Sequence, residues 1–229
     1  MNRFYIMTIA ILFTLAIYFL CKLFYQKFPK PFTIPILLGT TIIVILLFIF
    51  DISYDTYMIG GSWIEFFLGP AVVSLAFPLY KQRDILKKYF IPIVTSIFVS
   101  AIVGLTSGIY LAKWLQVEEE LIYALIPKSV TTPVAMEITQ SLGGAAPLAA
   151  VFVMVAGIGG AVFSPFIYKA FRIEHYLGKG IGLGSASHAI GTSKALESSE
   201  KEGAASSIAM TVSAIIVSII APLLVVLLL

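Results

Sequence analysis

Two short stretches concentrate hydroxyl, cationic and imidazole side chains inside otherwise apolar sequence. The first reads Pro127-Lys128-Ser129-Val130-Thr131-Thr132-Pro133, with Glu137 four positions on. The second, Gly180–Ala195, reads GIGLGSASHAIGTSKA and carries Ser185, Ser187, His188, Thr192, Ser193 and Lys194. An ionisable group at membrane depth costs at least about 2.5–3.5 kcal/mol, so it marks a pathway or binding site by default. Lys128 offers a cation, and Ser129, Thr131 and Thr132 offer hydroxyl donors. The flanking prolines free helix termini whose N–H groups favour an anion. With Ser187, His188 and Thr192 these residues are expected to hold a small carboxylate, with Glu137 and Lys194 completing the candidate set. Glu137 or His188 would carry a coupled proton. Plainer roles stand beside these: Lys128 can snorkel to an interface, Glu137 can pair with a cation, His188 can be structural, and Lys194 can mark the end of its element.

Other chemistries lack their residues. Ser187 and His188 are adjacent, so their side chains diverge and form no nucleophile–base pair unaided. No HExxH, paired intramembrane aspartates or P-loop occurs, and the chain is read as not an enzyme. Cys21 is the single cysteine and His175 and His188 are the two histidines, which leaves no disulfide framework and little scope for a metal. No cofactor is expected.

The elements that must position these groups follow from composition. Of 229 residues, 59% are hydrophobic and 12% charged, with mean hydropathy +1.01. Soluble domains carry about a quarter charged residues, so the chain is read as an all-α integral membrane protein, a polytopic helical bundle in one transmembrane domain. A net charge of +3 is too small for a nucleic-acid partner and fits loop charge that sets orientation. The run Ile6–Leu20 continues to Tyr25 without a small-x-small cleavage site, and is read as a retained first membrane helix. Further spans are Phe32–Phe50, Phe90–Ala112, Pro147–Phe171 and Ala204–Leu229. Trp63–Tyr80 is interrupted by Gly69-Pro70 and Pro78. Leu121–Leu142, broken at Pro127 and Pro133, and Gly180–Ala195, loosened at Gly184 and Gly191, are not ordinary helices.

Basic clusters follow the first span (Lys22, Lys27, Lys30), the third (Lys81, Arg83, Lys87, Lys88) and the Pro147 span (Lys169, Arg172, Lys179). The positive-inside rule puts all three in the cytoplasm and the N-terminus outside. Three apolar elements separate the second cluster from the third, so one must return to the side it entered from. The Pro127–Pro133 segment is the candidate, and Gly180–Ala195 is a second broken or re-entrant element. The expectation is six crossings plus these two. An offset of 115 aligns the hydropathy peaks of residues 1–114 and 115–229, best at Leu68-Gly69-x-Ala71 against Leu183-Gly184-x-Ala186, the pattern of a two-repeat carrier.

Phe67-Leu68-Gly69-Pro70-Ala71 through Pro78-Leu79-Tyr80-Lys81, the Pro127–Pro133 segment, and Gly184-x-x-Ser187-His188-x-x-Gly191-Thr192 together resemble the LrgB/CidB family. The resemblance extends over nearly the whole chain, including GGSW at Gly60–Trp63. It implies a multi-pass protein of the bacterial inner membrane, a homo-oligomer such as a dimer, and a small LrgA/CidA-type membrane partner. It also implies two functions. One is a holin-like or antiholin-like pore that promotes or restrains murein hydrolase export and cell lysis. The other is a carrier of small carboxylates such as pyruvate, glycolate or glycerate, as in plastid relatives. The residues favour the carrier, because a nonspecific pore has no use for two broken, hydroxyl- and cation-bearing elements. Altered autolysis would then follow from changed carboxylate flux.

Overall fold

The computed structural model describes residues 3–30, 33, 35–67, 70, 73–74 and 76–229. Gly69 lies outside the described residues, as do Leu68 and Ala71; Pro70 is exposed. The chain forms two compact units, Met1–Ala71 and Val72–Leu229, and every described element is helical or irregular, with no strand.

In the first unit, α1 (Arg3–Lys27) packs on α2 (Pro35–Ile49) and α3 (Tyr54–Phe66). Proline at the first position of α2 loses only an N–H that a helix start leaves free anyway. Ser53 caps α3 by accepting from the Thr56 N–H at 3.3 Å. At Gly60 the contact between α1 and α3 is so close that a Cβ would lie 2.6 Å from the Met7 carbonyl and 2.7 Å from Ala10 Cβ. Hydroxyls of Thr14 and Tyr57 hydrogen-bond there at 2.8 Å.

The second unit holds α4 (Ala76–Lys81), α5 (Arg83–Lys88), α6 (Phe90–Trp114), α7 (Glu119–Leu125), α8 (Thr132–Ser141), α9 (Ala146–Ala170), α10 (Tyr176–Ser198) and α11 (Glu200–Leu228). With α1, the helices α6, α9 and α11 are long and apolar enough to cross a bilayer, whereas α2 is shorter. The protein is thus an all-α polytopic membrane protein. The expected span over residues 63–80 is not one helix, because α3 ends at Phe66 and α4 begins at Ala76.

Both broken elements fold back on themselves. In the first, α7 and α8 flank a non-helical tip at residues 126–131. The Thr139 hydroxyl of α8 donates to the Tyr123 carbonyl of α7 at 3.3 Å, and a Cβ on Gly144 would sit 3.3 Å from the Glu120 carbonyl. In the second, His188 (φ 43°, ψ −130°) reverses the backbone in the middle of α10. A Cβ on Gly191 would sit 2.6 Å from Ser187 Cβ and run into the Leu183 carbonyl. Eight residues of straight helix would separate those two positions by about 12 Å, so the arms are antiparallel. Helix α11 lines both arms: Gly180 faces Ala205, Gly184 faces Ala209, and Thr192 bonds Ser206.

The hairpins enter from opposite ends. Lys113 Nζ donates to the Leu228 carbonyl at 2.7 Å, which places the C-terminal ends of α6 and α11 together. That end holds a core of Ala112, Ile122, Ala124, Ala149 and Ala221, including the first hairpin. The other end holds Ile93, Ile97, Leu177, Ile181 and Ala205, including the second. Each hairpin returns to its own side, so the basic residues after α4 and after α9 share one face, as the charge argument requires. A shift of 56 positions carries α6 onto α9, and a shift of 57 carries the first hairpin onto the second. The offset of 115 instead pairs the unbroken α1 with the folded-back α7–α8 segment.

Candidate functional site

The first tip and the first arm of the second hairpin meet between α6 and α11. A void of about 10 Å³ is lined by Ile126 and Ser129 from the first tip, Ser185 from the second hairpin, Ser100 and Gly104 of α6, and Ser213 of α11. The Ser100 hydroxyl donates to Ser185 Oγ at 3.3 Å, and Ser185 donates to the Ile181 carbonyl at 2.7 Å. This space is at the lower limit for one water molecule. It joins one residue group from each hairpin to the two crossing helices.

Lys128, half-buried in the first tip, turns toward α6. Its Nζ donates to the Gly104 carbonyl at 3.3 Å, and a Cβ on Gly108 would lie 2.8 Å from it. Gly108 therefore makes room for the cation, and Gly104 supplies the carbonyl that accepts from it. The ion pairs among the described residues are Lys179–Glu202 and Lys194–Glu197, and neither includes Lys128. Thr131 is the N-cap of α8 but its side chain makes no capping bond; the hydroxyl is buried and without a partner. Thr132 opens α8 and Pro133 follows in its first turn.

The second tip faces α9. His188 Nε2 hydrogen-bonds the Val153 carbonyl at 2.9 Å, and its ring fills the place of a side chain at Gly157, where a Cβ would come within 2.5 Å of Nε2. Ser187 is fully buried, its hydroxyl pressed against Gly160 and without a partner. Thr192 donates to the His188 carbonyl at 2.9 Å and shares a hydrogen bond with Ser206 at 2.9 Å, which ties the turn to α11.

Lys128, Ser129 and Thr131 thus share one tip, and Ser187 and His188 share the other. The observed partners of Lys128 and His188 lie on different helices, α6 and α9. Two candidates stand elsewhere: Glu137 is exposed on α8, and Lys194, also exposed, pairs with Glu197 at 2.9 Å. Among the described residues no three metal-ligating side chains cluster.

Both return arms begin at a tip, α8 after Thr131 and the second arm of α10 after His188. Their N-termini, whose dipoles are positive at that end, therefore start between the crossing helices. A helix N-terminus, an unpartnered hydroxyl (Thr131, Ser187) and, at the first tip, an ammonium without a carboxylate are each groups of the kind that attract an anion. Sequence reasoning missed Ser100, Gly104 and Gly108 on α6, Gly157 and Gly160 on α9, and Ser206 and Ser213 on α11. The spacings Gly104-x-x-x-Gly108 and Gly157-x-x-Gly160 within long apolar runs were the available signal, since small residues allow close approach in membranes.

The chain is similar over 95% of its length to the uncharacterized protein YxaC of Bacillus subtilis, at 47% identity and covering 94% of that protein. It is 37% identical to YwbG of the same organism, over 94% of this chain and 96% of that one. It is also 37% identical to the holin-like protein CidB of Staphylococcus aureus, over 99% of both chains. No solved structure matches. The LrgB-like family profile matches residues 14–227, and the chain therefore belongs to the LrgB-like family.

Proposed function

We propose that this protein is a secondary carrier of small monocarboxylates of the pyruvate or glycolate kind, acting in the bacterial inner membrane. The observation that carries the reading is the pair of opposed hairpins. Their return arms start at the tips, where the Lys128 ammonium has the Gly104 carbonyl but no carboxylate and the hydroxyls of Thr131 and Ser187 have no hydrogen-bond partner. Each unpartnered buried hydroxyl costs about 1–3 kcal/mol, a cost that a bound carboxylate relieves. Each hairpin is rooted at one end of the unit, so displacing one opens the centre to that side alone, as alternating access requires. His188, the only imidazole at the centre, is the group we assign to proton coupling. Flux of organic acid would in turn alter wall acidification and thereby murein hydrolase activity. A dimer, or assembly with a small LrgA/CidA-type protein, is compatible with this role.

Purified protein in liposomes tests the proposal. Uptake of labelled pyruvate or glycolate should saturate, respond to an imposed proton gradient, and disappear in normally inserted Lys128→Ala and His188→Ala variants. Wild-type rates in both variants, or no saturable uptake of any small acid, would overturn it. The name of the CidB relative favours a pore as second reading; release of dyes larger than a metabolite would support that instead.

A further inference from the structure

Below the second hairpin lies a cavity of about 450 Å³ that the carboxylate reading does not use. Its wall carries Lys169, Arg172, Lys179 and Lys194 against the carboxylates Glu174 and Glu202. These cations come from three places: the last turn of α9 and the residue after its cap, the first turn of α10, and the end of its return arm. Lys179 is loosely paired with Glu202 at 3.8 Å and Lys194 with Glu197 at 2.9 Å, so Lys169 and Arg172 against the one remaining carboxylate, Glu174, leave the wall with excess positive charge. The site is built on fixed backbone. The Tyr168 hydroxyl donates to the Lys179 carbonyl at 2.7 Å, joining α9 to α10. Arg172 sits in the left-handed region (φ 53°), where its N–H reaches the Lys169 carbonyl at 3.4 Å and that of Ile173 reaches Tyr168 at 2.9 Å. That is a Schellman closure with arginine where glycine is usual.

We propose that this cavity binds a phosphate group, presented either by an anionic lipid headgroup or by a soluble phosphate ester. A guanidinium fork and an adjacent ammonium suit phosphate oxygens, and basic pockets between membrane helices on the cytoplasmic side take phospholipid headgroups. The volume exceeds that of a bare anion and lies within the range of small-ligand pockets, about 300–1,000 Å³.

The probe is glycerol 3-phosphate, titrated calorimetrically into the full chain in phosphatidylcholine nanodiscs. Binding is expected, with affinity falling at least about tenfold in Lys169→Gln and in Arg172→Gly, about the effect of losing one charge-assisted bond. Glycine suits the backbone at 172 better than arginine does, so Arg172→Gly should not lower the melting temperature, and its loss of binding is not misfolding. Repeating the titration with phosphatidylglycerol in the disc identifies the source. Abolished binding of the probe means that the lipid occupies the cavity, and retained binding means a soluble ester. Neither binding of the probe nor stabilisation by phosphatidylglycerol would overturn the proposal. So would unchanged affinity in both variants, or equal competition by pyruvate, which would make the cavity merely the mouth of the carboxylate path.

Discussion

Replacing Gly160 by alanine isolates the contact on which the second tip depends. The new Cβ would overlap the Ser187 hydroxyl and lie 3.1 Å from Ser187 Cβ, at a residue with no exposed surface. Overpacking of this kind costs about 1–3 kcal/mol. For a chain of 229 residues, each kcal/mol moves the melting temperature by about 2–4 °C, so Gly160→Ala should melt about 4–8 °C lower for a cost of about 2 kcal/mol. Ser187→Ala behaves differently. Its hydroxyl has no partner to lose, so its removal should be neutral or stabilising.

The double variant is the decisive measurement. With the oxygen gone, the two methyl groups still meet at 3.1 Å, but a shift of a few tenths of an ångström relieves the contact. At least half of the Gly160→Ala loss should therefore be recovered. Thermal unfolding in one detergent reads all four proteins. If the double variant melts as low as Gly160→Ala alone, so that the costs add to within about 0.3–0.5 kcal/mol, the hydroxyl does not occupy that space and the packing is wrong. Uptake separates stability from function. A hydroxyl that bonds a carboxylate contributes about 1.5–3 kcal/mol, so Ser187→Ala should raise the half-saturating substrate concentration about tenfold or more while folding as well as the parent. Unchanged uptake would remove Ser187 from the site.

Other perturbations probe the rest of the design. Gly191→Ala puts a Cβ 2.6 Å from Ser187 Cβ and against the Leu183 carbonyl, where backbone must yield; protease resistance of the membrane fraction should fall sharply. Gly159→Ala meets nothing within 4 Å and should raise the melting temperature by removing a helical glycine worth about 1 kcal/mol. Lys128→Met removes a half-buried cation that no carboxylate neutralises; its melting temperature should hold or rise, while uptake is lost. In a Cys21→Ser background, single cysteines at Tyr176 and Ser198 should react with an impermeant maleimide from one face of the membrane. Cysteines at Glu119 and Gln140 should react from the other, and labelling of either pair from opposite faces would refute its re-entrant hairpin.

The breaks were legible because proline and glycine act locally. Pro127 and Pro133 bracket the first tip, whereas the second reversal falls at His188 and not at Gly184 or Gly191, which instead serve close packing of the arms. That the first element returns was legible too, from the parity of basic loops. What hydropathy does not register is direction: a folded-back stretch and a straight helix of equal apolarity look alike. This is why peaks align at an offset of 115 while like structures align at 56 and 57. The partners of the tips were illegible for another reason. Whether Lys128 meets Gly104 or His188 meets Val153 depends on which crossing helix packs against which hairpin, and nothing near those residues in sequence encodes it.

The opposed hairpins also decide what a pore would need. A continuous path through one chain requires both tips to withdraw together, breaking the Lys128–Gly104 and Thr192–Ser206 contacts at once; a carrier withdraws one at a time. A pore built between copies leaves the centre intact and idle. In that arrangement Lys128→Met would not alter dye release, because no permeant would pass the ammonium. In a carrier the same substitution abolishes saturable uptake and there is no dye release to preserve. One variant and two solutes therefore separate the readings, and the separation rests on where the ammonium lies, between a hairpin tip and α6, rather than on any property of the apolar exterior.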